Sequence, residues 1–238
     1  MNNNKTTDNY TWEATAESKG KAKSLRLFAL LAWVVAIGLE IWAIIQLKNP
    51  PVSMPWLIGL IVAIMGFAIL GSVLWKKSNR LDPASEKDKT RFFIQNQLGV
   101  IISIIAFLPL VVLIFTNKDL NGKQKGILGS VAVVAMLIAS IVGIDFNPAS
   151  IEQYTKQTQE VEGLMGTNKV FWTASGQSYH LFEDCSYINS DRTKAIFDGT
   201  VAKARELKNI TDICDRCKRR VEKEKALKTL DKTLEKQK

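Results

Sequence analysis

Four apolar runs, each long enough to cross a lipid bilayer, lie within the first 150 of the 238 residues and constrain the fold more than any other feature. Leu27 to Leu47 holds a single charge, Glu40; Trp56 to Trp75 holds none, nor do Leu98 to Phe115 and Gly126 to Ile144. At about 1.5 Å per residue, a helix of 18 to 21 residues matches a hydrocarbon layer of ~30 Å. Buried helices of soluble proteins seldom stay uncharged so long, and four in succession point to membrane spans. Trp56 and Trp75 bracket the second run, where indole rings settle at headgroup level. A polar stretch precedes the first run and no small-residue cleavage site follows it, so it reads as an anchor and not as a signal peptide.

Residues 151–238 contain no such run, yet hold all three cysteines and the only histidine. This division excludes a single soluble core, a disulfide-rich secreted domain and a disordered chain, despite an unremarkable 47% hydrophobic and 23% charged composition. It also excludes chemistry that needs two histidines from one chain.

Lys and Arg in the short flanks set the expected orientation. Lys19, Lys21, Lys23 and Arg26 precede the first run, and Lys76, Lys77, Arg80, Lys87, Lys89 and Arg91 separate the second from the third. The opposite side has Lys48, Lys118, Lys123 and Lys125. Ten against four places both termini in the cytoplasm and the protein in the cell membrane. Inside the spans, Glu40 is the one ionisable candidate for an intramembrane polar site. It lies about two turns from the outer end of its helix, within reach of the interface. Pro109 is expected to kink the third span, and Ala135, Ala139 and Gly143 to let the fourth pack closely.

The chemistry-bearing pattern is His180-x4-Cys185 followed by Cys214-x2-Cys217. Four N/S donors in two such pairs suit the tetrahedral preference of Zn2+. Val170 to Thr173 and Ser178 to His180 flank a Gly-containing turn and read as a hairpin. Thr200 reads as the N-cap of a helix over 200–208. A domain of about 50 residues has little core, so a structural metal would help it fold. Other readings stay open: His180 as an ordinary hairpin residue, Cys214 and Cys217 as a redox pair in a membrane thiol oxidoreductase, or His180 and Cys185 as a hydrolase dyad. No orienting partner or oxyanion hole is evident for the last.

These residues carry a resemblance. Val170-Phe-Trp-Thr-Ala-Ser-Gly-Gln-Ser-Tyr-His180, Cys185, Gly199-Thr-Val-Ala-Lys-Ala and Cys214-x2-Cys217 together resemble the zinc modules related to the metal-binding domain of the adaptive-response (Ada) alkylation-repair protein. The resemblance covers about 50 residues, and the whole chain resembles four-helix bacterial membrane proteins that carry such a module. It implies a small α+β fold and Zn2+ on His180, Cys185, Cys214 and Cys217. In the Ada protein the first of four cysteines accepts a methyl group from DNA phosphate; here that position is His180, whose imidazole is not the thiolate nucleophile required. The resemblance therefore implies the metal site and argues against alkyl transfer. Four protein ligands also leave no open position for a metal-bound water, so no catalytic residue is expected.

The formal charge of +9 does not mark a nucleic-acid module. Residues 170–217 hold six basic and seven acidic groups, whereas 218–238 hold nine basic against four acidic. That basic tail, with Leu227, Leu230 and Leu234 on one stripe, could meet anionic lipid, nucleic acid or a copy of itself.

The expected organisation is an all-α transmembrane four-helix bundle plus a small α+β zinc-binding module. A cytoplasmic segment (1–26) leads into spans near 27–47, 56–75, 97–115 and 126–146. A short helix or tether (147–169), the module (170–220) and a basic helix (221–238) follow. The function expected is a membrane protein presenting a structural zinc module to a protein or nucleic-acid partner, with self-association open. A redox or metal sensor, and a small transporter or channel subunit, are the alternatives.

Overall fold

A computed structural model of the chain describes residues 10–235; the start of the expected N-terminal segment and the last three residues of the basic tail lie outside the described residues. Contacts divide the chain into two compact units, 14–150 and 151–238, the second joined by the segment up to Glu13.

The first unit is helical. Its elements are α1 (Ala16–Lys48), α2 (Met54–Leu81), α3 (Lys89–Ile105), α4 (Leu108–Thr116) and α5 (Gly122–Gly143). Four stretches are long and apolar enough to cross a membrane: α1, α2, Lys89–Thr116 and α5. α1 and α3 begin ahead of their apolar runs because polar caps lie further out. Thr15 accepts from the Ser18 N–H ahead of α1, and Asp88 accepts from the Arg91 N–H ahead of α3. A reciprocal Asn121–Gln124 capping box starts α5.

The third span is broken and not merely kinked. Pro109 has no N–H, and its ring would collide with the Ile105 carbonyl of a continuous helix. The chain tightens instead, with Ala106 N–H on Ile102 O (2.8 Å) and Phe107 N–H on Ile104 O (3.2 Å). Ala106 and Phe107 are fully buried, so the break sits in the core.

Small residues set the helix spacing, as the fourth-span stripe leads one to expect. Ala135, Ala139 and Gly143 are buried. A Cβ on Gly143 would lie 2.7 Å from the Gly99 carbonyl carbon, so α3 and α5 touch backbone to backbone. Ser103 Oγ donates within α3 to Gly99 O (2.8 Å) and reaches Ala139 O at 3.3 Å. The outward faces are apolar: Val34, Val62, Val112 and Ile141 are each more than half exposed. Such faces call for lipid as their solvent.

The second unit holds α6 (Ile151–Met165), β1 (Val170–Thr173), β2 (Ser178–Tyr179), β3 (Ile196–Gly199), α7 (Val201–Lys208), β4 (Asp212–Ile213) and α8 (Asp215–Glu235). Residues 151–165 are thus a helix, with Tyr154, Thr158 and Val161 buried on one side. Trp12 crosses Tyr154 edge-on at 4.6 Å, and its N–H donates to Thr155 Oγ1.

The strands pair differently from a simple hairpin. β1 pairs antiparallel with β3, Trp172 opposite Phe197. Only Phe171 and His180 pair across the expected hairpin, exchanging N–H···O bonds of 2.8 and 2.7 Å. β2 gives its remaining edge to β4 in parallel, Tyr179 beside Ile213. Thr200 caps α7, and Asn209 ends it in the left-handed conformation (φ 54°), a position Asn tolerates well.

Candidate metal centre

The pairing of β2 with β4 builds the site. His180 follows β2 directly, its backbone fixed by Phe171. Cys214 follows β4, and its N–H donates to Tyr179 O (2.9 Å), so the two ligand-bearing segments leave the sheet side by side. Cys217 falls in the first turn of α8, one turn beyond Cys214, with Lys218 N–H on Cys214 O. Cys185 sits in a tight turn, its carbonyl accepting from Ile188 and Asn189 N–H at 2.9 and 2.8 Å.

The donor atoms of His180, Cys185, Cys214 and Cys217 all lie within 4.8 Å of one another, and all four residues are buried. Cys217 Sγ is 3.8 Å from His180 Nδ1. A tetrahedral ion with metal–sulfur bonds of ~2.3 Å and a metal–nitrogen bond of ~2.0 Å has ligand–ligand edges of roughly 3.5–3.8 Å. The spacing and the donor chemistry therefore fit a metal ion such as Zn2+. No disulfide competes, since all three cysteines are free.

Burial holds two of these donors, His180 and Cys217, in their neutral forms. Burial, and then the neighbouring Cys185, push the Cys217 thiol up to about 12, although the backbone N–H groups of Leu181 and Phe182 oppose this. Burial also pushes the His180 imidazole down, which leaves a neutral ring with a free lone pair. A divalent cation held by Cys185, Cys214, Cys217 and His180 would favour the thiolate forms of the three cysteines.

The surrounding residues hold the ligand loops. Cys185, Cys214 and Cys217 belong to an apolar cluster with Trp172, Tyr179, Leu181, Ile188 and Val221. Arg220 grips both oxygens of Asp184 (2.8 and 3.0 Å) and covers the Phe182 ring at 4.1 Å, tying the Cys185 loop to α8. Lys218 pairs with Glu160 at 2.9 Å, tying α8 to α6. Arg205, fully buried, bonds Gln157 Oε1 and covers the Tyr154 ring, tying α7 to α6. Sequence reasoning missed β3, Arg205 and the Trp12 strap. The one available signal was Trp12 among polar neighbours. A cleft of about 250 Å³ opens beside Cys185 and Cys217, walled by Arg216 and Arg220.

Glu40 lies apart from this centre, in the first unit. It does not reach for the interface: it is 4% exposed, and its carboxylate accepts from the Leu110 N–H in the first turn of α4. The break before Pro109 frees amide hydrogens inside an apolar core, and Phe107 at the N-cap offers no side-chain bond, so the carboxylate does that work. Glu40 Oε1 has no hydrogen-bond partner among the described residues.

Comparison of the chain with protein-family models, with curated proteins and with solved structures finds no match.

Proposed function

We propose that this chain is a non-enzymatic, multi-pass protein of the bacterial cell membrane that presents an Ada-like Cys3His zinc module to a macromolecular partner. The observation that carries the reading is the convergence of four buried N/S donors within 4.8 Å on a unit separate from the membrane-capable helices. Four protein donors fill a tetrahedral site and leave no position for a substrate or a water, which favours a structural role. Both termini face the cytoplasm, where thiols stay reduced. The partner is a protein or, through the basic α8, a nucleic acid; a second copy of the chain is a further candidate.

The test is metal analysis of the full chain purified in detergent, with His180, Cys185, Cys214 and Cys217 each replaced in turn. One Zn2+ per chain, lost from every variant, supports the reading. Zinc retained with fewer than four of these ligands, together with hydrolysis of a generic ester or phosphodiester, overturns it. A reporter fused after Lys238 tests the orientation.

The cleft beside Cys185 and Cys217 favours a second reading, a redox or metal sensor, because it brings small oxidants to two of the sulfurs. Zinc release under mild peroxide supports the sensor; metal held throughout supports the platform. A transporter or channel subunit would rest on Glu40, buried with one carboxylate oxygen unpartnered.

A further inference from the structure

A second candidate site lies in the membrane-spanning unit, at the level where three helices pass from polar to apolar sequence. Arg26 immediately precedes the first apolar run, Trp75 ends the second, and Arg91 precedes the uncharged stretch from Phe92. These three residues line one pocket of about 570 Å³ between α1, α2 and α3. Thr90 joins them at the polar rim, while Ile94 and Leu98 continue the wall toward the apolar part of α3. Ile94 is 48% exposed, so this wall opens onto the outer face of the bundle.

The charges at the rim are only partly matched. Arg26 donates to an Asp82 carboxylate oxygen and to Asp82 O, both at 2.9 Å, yet its buried Nε donates to nothing. The guanidinium of Arg91 has no hydrogen bond or ion pair among the described residues; only its backbone N–H is engaged, by Asp88. Asp88 also lines the pocket, with one oxygen committed to that cap. Residues 76–91 hold six basic groups against three acidic, and residues 17–26 hold Lys19, Lys21, Lys23 and Arg26 against one acidic group, Glu17. Trp75 donates its indole N–H to Gln95 O (2.7 Å), which holds the ring at the pocket wall.

A ligand for this pocket needs a compact anion at one end and a long apolar body at the other. We propose that it seats the headgroup of an anionic phospholipid, the phosphate between Arg91 and Arg26 and the acyl chains along Ile94 and Leu98. The fork of a guanidinium matches phosphate oxygens, and basic residues at this depth attract anionic lipid. The proposal rests on the helices crossing a bilayer and is independent of the metal centre.

The experiment uses the full chain in neutral detergent, with bound lipid counted by native mass spectrometry and thermal unfolding followed in parallel. The probes are phosphatidylglycerol, phosphatidylcholine with the same chains, and inorganic phosphate. Phosphatidylglycerol is expected to remain bound and raise Tm, while the other two do neither. R91Q is expected to weaken phosphatidylglycerol binding about fivefold to tenfold. K125Q, at the other end of the bundle, should leave it unchanged. I94E sets a carboxylate on the acyl-chain wall and should remove the preference for the anionic lipid; it serves as the independent variant should R91Q fail to fold. Equal binding of phosphatidylcholine, an equal effect of free phosphate, or an unchanged lipid preference in either folded variant overturns the proposal.

Discussion

On the proposed Zn2+ site, removing the metal from the full chain should unfold one unit and spare the other. Structural zinc in small modules contributes ~10–16 kcal/mol near neutral pH, whereas the whole net stability of a small domain is ~5 kcal/mol or a little more. The metal contribution is the larger, so the second unit should lose its fold when the ion leaves. The first unit contains none of the four ligands, and it has its own apolar cluster, including Leu57, Ile61, Ile64, Leu110 and Leu128. The assay is hydrogen exchange on the detergent-solubilised protein, before and after exhaustive chelation. Amides of 170–217 should lose protection by several orders of magnitude, while those inside α2 and α5 keep theirs. C217S should reproduce the pattern without chelator, since serine is a poor replacement for a thiolate. Unchanged protection across 170–217 in metal-free protein would refute the reasoning. The protein should be tested whole, because a fragment beginning after α6 lacks buried Tyr154 and Val161.

Further outcomes follow from particular contacts. G143A places a methyl 2.7 Å from backbone atoms of Gly99 and Val100, so the helices must separate; a loss of about 1–3 kcal/mol is expected in thermal unfolding, while G126A, with open space around it, should be neutral. R205M removes hydrogen bonds from a buried guanidinium and should destabilise the second unit by roughly 2 kcal/mol, with zinc stoichiometry unchanged at low temperature. E40Q keeps the shape of the α4 cap and should leave helix content unchanged; altered solute flux or ion-dependent growth in that variant would support the transporter reading, and unchanged flux would remove its only basis. Substituting D184N weakens the Arg220 clamp and should speed zinc release to a competing chelator, measured by colorimetric transfer.

Much of this protein could be read from residue order alone, because its strongest signals are local. An uncharged run of about 20 residues has few solutions other than a membrane-capable helix, whatever surrounds it. His-x4-Cys and Cys-x2-Cys are short-range pairs, each able to converge through one turn of backbone, so a cluster able to hold a metal ion was visible before the fold was known. Thr200 and the fourth-span small residues were legible for the same reason: capping and close approach depend on residues one turn apart.

Partner choices among distant segments were not legible. β1 pairs with β3 along one edge and meets His180 through Phe171 on the other, while two-residue β2 pairs with β4; no local propensity announces these partners. Arg205 reads as a surface charge in a basic helix; only the packing of α7 on α6 buries it against Tyr154. Pro109 announced a distortion, but its depth came from what Glu40 supplies: a carboxylate from another helix that satisfies the freed amide. The lipid pocket is likewise an accident of assembly, since Arg26, Trp75 and Arg91 are far apart along the chain and meet only when three helices pack. Hydrophobic length and ligand spacing are decided along the chain, whereas burial of charge and strand partnership are decided by which surfaces close on each other.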